Sequence, residues 1–80
     1  MIAVTARYFA AFREQAGLEL EALSTGSLTA RDLFNEVSSR HSFLDSIERC
    51  KVAINGHMAA WDAALADRDE VLFFPPVAGG

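Results

Sequence analysis

Eighty residues, 51% of them apolar, carry seven basic and eleven acidic side chains for a formal net charge of −4. That length is one domain, near the small end of what folds alone, and the apolar share excludes a disordered chain. The acidic balance argues against nucleic acid and anionic membranes as partners and fits a partner with a basic docking surface.

Ile2, Val4, Ala6 and Tyr8 alternate with Ala3, Thr5, Arg7 and Phe9, which predicts a first strand with a mainly apolar even face. Phe12 to Ala16 is a turn of helix stopped by Gly17. Leu18-Glu19-Leu20-Glu21-Ala22-Leu23 alternates as a half-buried strand does, and Ser24-Thr25-Gly26-Ser27 has turn chemistry. Thr29-Ala30-Arg31-Asp32 matches a capping box with Asp32 as a short stand-in for Glu. Ala30, Leu33, Phe34 and Val37 then share one face of a helix from about Ala30 to Arg40. Phe43, Leu44 and Ile47 extend the apolar signal over one end of the core.

Lys51-Val52-Ala53-Ile54 is a strand, Asn55-Gly56 a hairpin turn, and His57 to Ala60 the short return strand. Leu65 is a lone anchor in the next loop, and Asp67-Arg68-Asp69 is a turn. Glu70-Val71-Leu72-Phe73-Phe74 is apolar on both faces, so it belongs in the middle of the sheet. The order β-β-α-β-β-β, with one main helix over a mixed sheet and the first and last strands as central neighbours, is an α+β fold of the β-grasp type. No linker or second domain is visible, so residues 1–80 make a single domain with residues 75–80 as a projecting tail.

Cys50 is the only cysteine, which forbids an intramolecular disulfide. No signal peptide and no apolar stretch of about 20 residues is present, so the expected location is cytoplasmic. Arg49 and Lys51 flank Cys50 and could lower its thiol pKa, but no base partner accompanies it. His41 and His57 are isolated, and a single thiol cannot supply a zinc or iron–sulfur ligand set. No metal site and no cofactor bound by the chain itself is expected. Asp67, Asp69 and Glu70 are expected to form a solvated acidic turn, with electrostatic docking as their alternative role.

The last run, Phe73-Phe74-Pro75-Pro76-Val77-Ala78-Gly79-Gly80, is an apolar strand leading into a thin tail. Pro75 and Pro76 have fixed φ and no N–H, so they cannot extend the sheet and favour an extended path. Gly79 and Gly80 lack Cβ atoms, so the backbone can pass a narrow channel and approach a nucleotide. Residues 75–80 reach about 20 Å at ~3.3 Å each. A free carboxylate on Gly80 is a poor electrophile until a partner activates it in a site that excludes water.

These segments together resemble the small subunits of molybdopterin synthase (MoaD), ubiquitin-like sulfur carriers of the MoaD/ThiS type. The likeness lies in Phe9-Ala10-Ala11-Phe12-Arg13-Glu14 with Gly17, in Thr29-Ala30-Arg31-Asp32-Leu33, in Val52-Ala53-Ile54-Asn55-Gly56, and above all in Asp69-Glu70-Val71 through Gly79-Gly80. Arg68 stands where such chains usually carry glycine, and Ala78 where they often carry Ser or Thr. If Arg68 must adopt φ > 0, the substitution costs about 1 kcal/mol.

The resemblance implies that Gly80 is adenylated with ATP by an enzyme similar to the ubiquitin-activating class. It is then converted to a thiocarboxylate and donates sulfur to a cyclic pyranopterin phosphate. ATP is used by the activating partner. The catalytic side chains are expected in the large synthase subunit, in an assembly with two copies of each subunit. Gly79, Ala78, Val77, Pro76 and Pro75 would thread or line the partner's channel. Phe74, Phe12, Leu44 and Trp61 are the candidates for an apolar docking patch, with packing inside the domain as the competing role for each.

Three other functions remain open at this point. A thiazole-synthesis sulfur carrier (ThiS-like) would use the same Gly-Gly chemistry. A protein modifier would join Gly80 to lysines. A plain binding module would not need Gly79-Gly80 at all.

Overall fold

Strands β1 (Ile2–Tyr8) and β5 (Glu70–Phe74) run parallel at the centre of a five-stranded sheet in the computed structural model, which describes residues 1–76. Outside them lie β2 (Leu20–Thr25), antiparallel to β1, and β3 (Lys51–Ile54), antiparallel to β5. The short β4 (His57–Ala59) closes the order β2-β1-β5-β3-β4. This is the β-grasp expected from the element order, and β5 holds the central place that its two apolar faces require. Among the described residues, no helix is long and apolar enough to cross a membrane.

Helix α2 (Ala30–His41) covers one face of the sheet. It buries Ala30, Leu33, Phe34 and Val37 against Val4, Ala6 and Tyr8 of β1, Val52 of β3, and Val71 and Phe73 of β5. Phe34 meets Trp61, Phe73 and Phe12 with ring centroids 5.2, 5.5 and 5.8 Å away. Such pairs add about 0.5–1.5 kcal/mol each beyond their buried area. Thr29 caps the helix by accepting from the Asp32 N–H at 3.2 Å. The reciprocal arm goes one residue early, since Asp32 Oδ2 accepts from Leu28 N–H at 3.4 Å. Two further N–H groups of the first turn, those of Ala30 and Arg31, donate to the carbonyls of Ala63 and Trp61. The long loop after β4 therefore completes the cap.

The short helix α1 (Ala10–Ala16) starts earlier than the sequence pattern indicates and stops at Gly17, whose φ of 76° is left-handed. The β2 strand is displaced relative to its expected span. Ser24 and Thr25, expected in a turn, pair with Ala3 and Ile2. The β2 residues turned toward the helix are Glu21, Leu23 and Thr25, while Leu20 is half exposed. The cause is a set of polar partners on the helix side: the Tyr8 hydroxyl and His41 ring for Glu21, and Glu36 for Thr25.

The Asn55-Gly56 turn has φ of 52° and 84°, as a tight hairpin turn needs. Asn55 has a second duty. Its Nδ2 donates to Asp69 Oδ1 and its Oδ1 accepts from Glu70 N–H, both at 2.8 Å. Asp69 also accepts from Ala66 N–H at 2.7 Å and is only 8% exposed. The expectation of a solvated acidic turn is therefore wrong for Asp69, which is a buried clamp between two loops. Arg68 does adopt φ > 0, at 72°, so the strain anticipated for a non-glycine residue is present.

Candidate functional site

The alternation that sends Val71 and Phe73 into the core sends Leu72 and Phe74 to the opposite face of the sheet. There Phe74 stacks on Phe9, with centroids 4.9 Å apart and planes 16° from parallel. Lys51 lies directly across from Phe74, and Ala53 across from Leu72. Met58 of β4 pairs with Ala53 and is 65% exposed. Pro75 and Pro76 follow Phe74 without a turn. Together with Arg49, Lys51, Met58 and Phe74 they line an open groove of about 340 Å³. The floor is apolar, and one wall carries two cations.

This groove is the site that the described residues build at the base of the tail. Pro75 and Pro76 are half-buried in it. Gly80, Gly79, Ala78 and Val77, the residues to which sequence assigns the chemistry, lie outside the described residues.

The four candidate docking residues do not form one surface. Phe12 is fully buried, stacked on Phe43 with centroids 4.3 Å apart, so its docking assignment is wrong: the side chain is core. Trp61 lies on the helix side of the sheet, edge-on to Phe34 and stacked over Phe73 at 6.1 Å. Leu44 is 84% exposed beyond the end of α2, where its N–H donates to Gln15. Only Phe74 lies on the outer face at the tail. From the sequence, Arg49 and Lys51 were read only as neighbours of Cys50, and Met58 was not singled out; none of the three was a docking candidate. The signal was available for Lys51, because alternation with core-facing Val52 places it on the face of Phe74.

Cys50 is buried, and its thiol donates to the Ser46 carbonyl at 3.2 Å. Burial, then the nearby Asp45 carboxylate, push the thiol up to about 11, against a smaller opposing pull from Arg49. The flanking cations therefore do not activate it, contrary to what their proximity in sequence suggested.

A polar cluster lies on the other side of the domain. The Tyr8 hydroxyl donates to Glu21 Oε1, the His41 ring contacts the same oxygen, and Arg40 stands 3.8 Å from Glu21 Oε2. Burial raises the Glu21 carboxyl. The Tyr8 and His41 hydrogen bonds, then the charges of His41 and Arg40, outweigh burial and leave it below the usual carboxylate range. Burial, then the Glu21 hydrogen bond and charge, hold the Tyr8 phenol far above its ordinary range. The cluster joins β1, β2 and α2 and does not reach the groove, so it holds the fold rather than the tail.

A family model described as the ThiS family matches residues 6–80. The chain is 36% identical over 77 residues to a molybdopterin synthase sulfur carrier subunit of Chlamydomonas reinhardtii, covering 91% of this chain and 93% of that one. Its fold is similar to SAMP1 from Haloferax volcanii, with a TM-score of 0.80, 28% identity, and coverage of 98% and 99% of the two chains. It is also similar to a Pyrococcus furiosus protein named as a candidate subunit 1 of molybdopterin converting factor, with a TM-score of 0.78, 33% identity, and coverage of 96% and 100%. With the match running from the end of β1 through the helix and β5 into the tail, the chain belongs to the ThiS family of ubiquitin-like β-grasp proteins.

Proposed function

We propose that this chain is a sulfur carrier that works through Gly80 and serves molybdopterin synthesis. The observation that carries the reading is the 36% identity, over nearly the whole chain, to the Chlamydomonas carrier subunit. The Gly80 carboxylate oxygen attacks the α-phosphorus of ATP, and pyrophosphate leaves. A hydrosulfide-level sulfur then attacks the acyl carbon, the bond to the AMP oxygen breaks, and the thiocarboxylate remains. Its sulfur is a better nucleophile than a carboxylate oxygen at neutral pH, so it can be passed to a cyclic pyranopterin phosphate.

In this reading the chain supplies the carboxylate and a docking body. The groups that bind nucleotide and move protons belong to the adenylating enzyme and to the large synthase subunit. Two sulfur transfers per dithiolene imply two copies of each subunit. The fold supports the role at one point. Pro75 and Pro76 continue directly from β5, so the tail starts from the middle of the sheet and not from a loop.

The test is the intact mass after incubation with an adenylating enzyme of the ubiquitin-activating-like class, ATP and sulfide. Replacement of one oxygen by sulfur, mapped to Gly80, is the expected result. An unchanged mass with an enzyme shown to be active on another carrier would refute it. Co-purification with a synthase large subunit rather than a thiazole synthase then separates molybdopterin from thiamine service.

The similarity to SAMP1, a small archaeal modifier protein, favours a second reading in which Gly80 is joined to lysines of other proteins. That reading predicts isopeptide-linked higher-mass species in cells, and these would be absent for a dedicated sulfur carrier.

A further inference from the structure

Lysine occurs once in this chain, at position 51, and the other six basic side chains are arginines. A guanidinium stays protonated at any ordinary pH and does not accept an acyl group, whereas a lysine amine does so once it has lost its proton. Lys51 is exposed and makes no ion pair among the described residues, so its amine is free to meet another molecule. It stands directly across from Phe74 at the root of the tail, beside an apolar floor of Met58, Phe74, Pro75 and Pro76. The other primary amine is the α-amino group of Met1, one residue before β1 begins. That group has no arm beyond the backbone, and the strand next to it is pinned where Ala3 N–H donates to Asp67 Oδ1 at 2.7 Å. Lys51 instead carries its amine on a flexible four-carbon stem, which gives it the reach to enter another molecule's reaction site.

We infer that Lys51 is the amine that accepts the activated Gly80 of a second copy of this chain, joining copies through one defined isopeptide bond. This deepens the modifier reading above and rests on it, with the chain itself as the acceptor. The neutral amine attacks the acyl carbon of the Gly80 adenylate. The C–N bond forms, the bond to the AMP oxygen breaks with its electron pair leaving on AMP, and the nitrogen gives one proton to water. ATP, used by the adenylating enzyme, supplies the activation, and no oxidant or reductant is needed. The donor tail suits the place, because its residues 75–78 bear no charged or polar side chain and the floor beside the amine is apolar. Lys51 serves another copy and not its own tail. Pro75 and Pro76 continue from β5 without a turn, and a ring closed from Gly80 back to Lys51 needs a reversal within the four residues that follow them. Each copy then has one donor end and one acceptor amine, so the products are linear and unbranched.

The test offers an isotopically heavy wild-type donor to a light acceptor that cannot itself be activated. The acceptor is the full chain extended by one residue beyond Gly80, with either Lys51 or Lys51→Arg, an exposed exchange that keeps the charge. Each acceptor is incubated with the donor, ATP and an adenylating enzyme of the ubiquitin-activating-like class, and the products are read by intact mass. The expected product is a conjugate one water lighter than donor plus acceptor, formed with the Lys51 acceptor and lost with Lys51→Arg. Trypsin should then release a branched peptide with residues 69–80 of the donor attached to Lys51, because Arg68 is the last basic residue. The donor is the same in both arms, so an effect of Lys51→Arg on activation cannot imitate the loss, and the wholly heavy donor–donor conjugate should persist in both. Equal conjugate in the two arms, or attachment mapped to Met1, would overturn the inference. Parallel reactions with Nα-acetyl-lysine and with sulfide in place of the acceptor separate it from the readings beneath it. A donor joined to Nα-acetyl-lysine and never to Lys51 sinks the acceptor and spares the modifier. No amide with either amine, while sulfide still places sulfur on Gly80, sinks the acceptor and the modifier together and leaves the carrier. An amide at Lys51 without sulfur loading sustains the inference and sinks the carrier.

Discussion

The Tyr8 hydroxyl donates to Glu21 Oε1 at 2.5 Å and so ties the core face of the central strand β1 to the edge strand β2. A buried phenol and a partly buried carboxylate stabilise each other here, and the bond has consequences at both ends of the pH scale. Glu21 has a folded pKa below its unfolded value. Its contribution is complete above the ordinary carboxylate range and is lost as pH falls through the folded value. Tyr8 has a folded pKa above its unfolded value. Its contribution is complete below the ordinary phenol value of roughly 10 and is lost as pH rises toward the folded value. Glu21→Gln should therefore cost about 1–2 kcal/mol at pH 7. That deficit should shrink as the pH is lowered below the ordinary carboxylate value, roughly 4.3. Tyr8→Phe should flatten the alkaline decline. Urea unfolding across pH measures both, and a Glu21→Gln deficit that stays constant from neutral to acid would contradict this account.

Arg68 holds φ at 72° with its side chain 91% exposed, so it bears a left-handed backbone and gains no packing in return. Glycine would remove the steric cost of roughly 1–2 kcal/mol and add a smaller entropic one. Arg68→Gly should stabilise the domain by about 0.5–1 kcal/mol and raise Tm by a few degrees. A lower Tm would show that the arginine side chain supports the turn.

Much of this fold could be seen in the sequence wherever one local pattern sufficed. Both faces of Glu70–Phe74 are apolar, which marked a central strand, and Ala30, Leu33, Phe34 and Val37 marked the helix face. The phase of β2 was not legible, because Glu21 and Thr25 face inward only by virtue of Tyr8, His41 and Glu36, each distant in sequence. Asp69 was misjudged for the same reason, since its partner Asn55 is fourteen residues away. At the candidate site, Pro75 and Pro76 were recognisable from chemistry alone. Of the cations beside them, Lys51 could be placed on the outer face by its alternation with Val52, but its position next to the tail follows only from β3 lying alongside β5.

Phe12 and Leu44 were grouped by sequence and are separated by burial, at 0% and 84% exposure. Phe12→Ala should cost about 3–5 kcal/mol, enough to threaten a domain of this size. Leu44→Ala should change stability by about 0.5 kcal/mol or less. Thermal unfolding of both variants checks this, and comparable losses would mean that the loop after α2 packs more tightly than its exposure indicates.

Cys50 should resist alkylation. The thiolate is the reactive species, and a thiol pushed up to about 11 in a buried position offers little of it at neutral pH. Iodoacetamide at pH 7.5 should leave the native protein unmodified and label it stoichiometrically once unfolded. Rapid labelling of the native state would mean that the Ser46–Cys50 segment opens readily.

Removing Gly79 and Gly80 should separate function from fold. Among the described residues, every buried core residue lies between Val4 and Phe73, so the deletion removes none of them. Thermal unfolding should match wild type, with a difference of about 0.5 kcal/mol or less. Sulfur loading with the adenylating enzyme, ATP and sulfide should vanish, because the carboxylate now exposed on Ala78 lacks the two small residues that let the backbone approach the nucleotide. Extending the chain by one residue beyond Gly80 should abolish loading equally, since it caps the carboxylate while keeping both glycines. If the extended chain is loaded as well as wild type, the carboxylate of Gly80 is not the sulfur-bearing group, and the carrier reading falls even though the fold is unchanged.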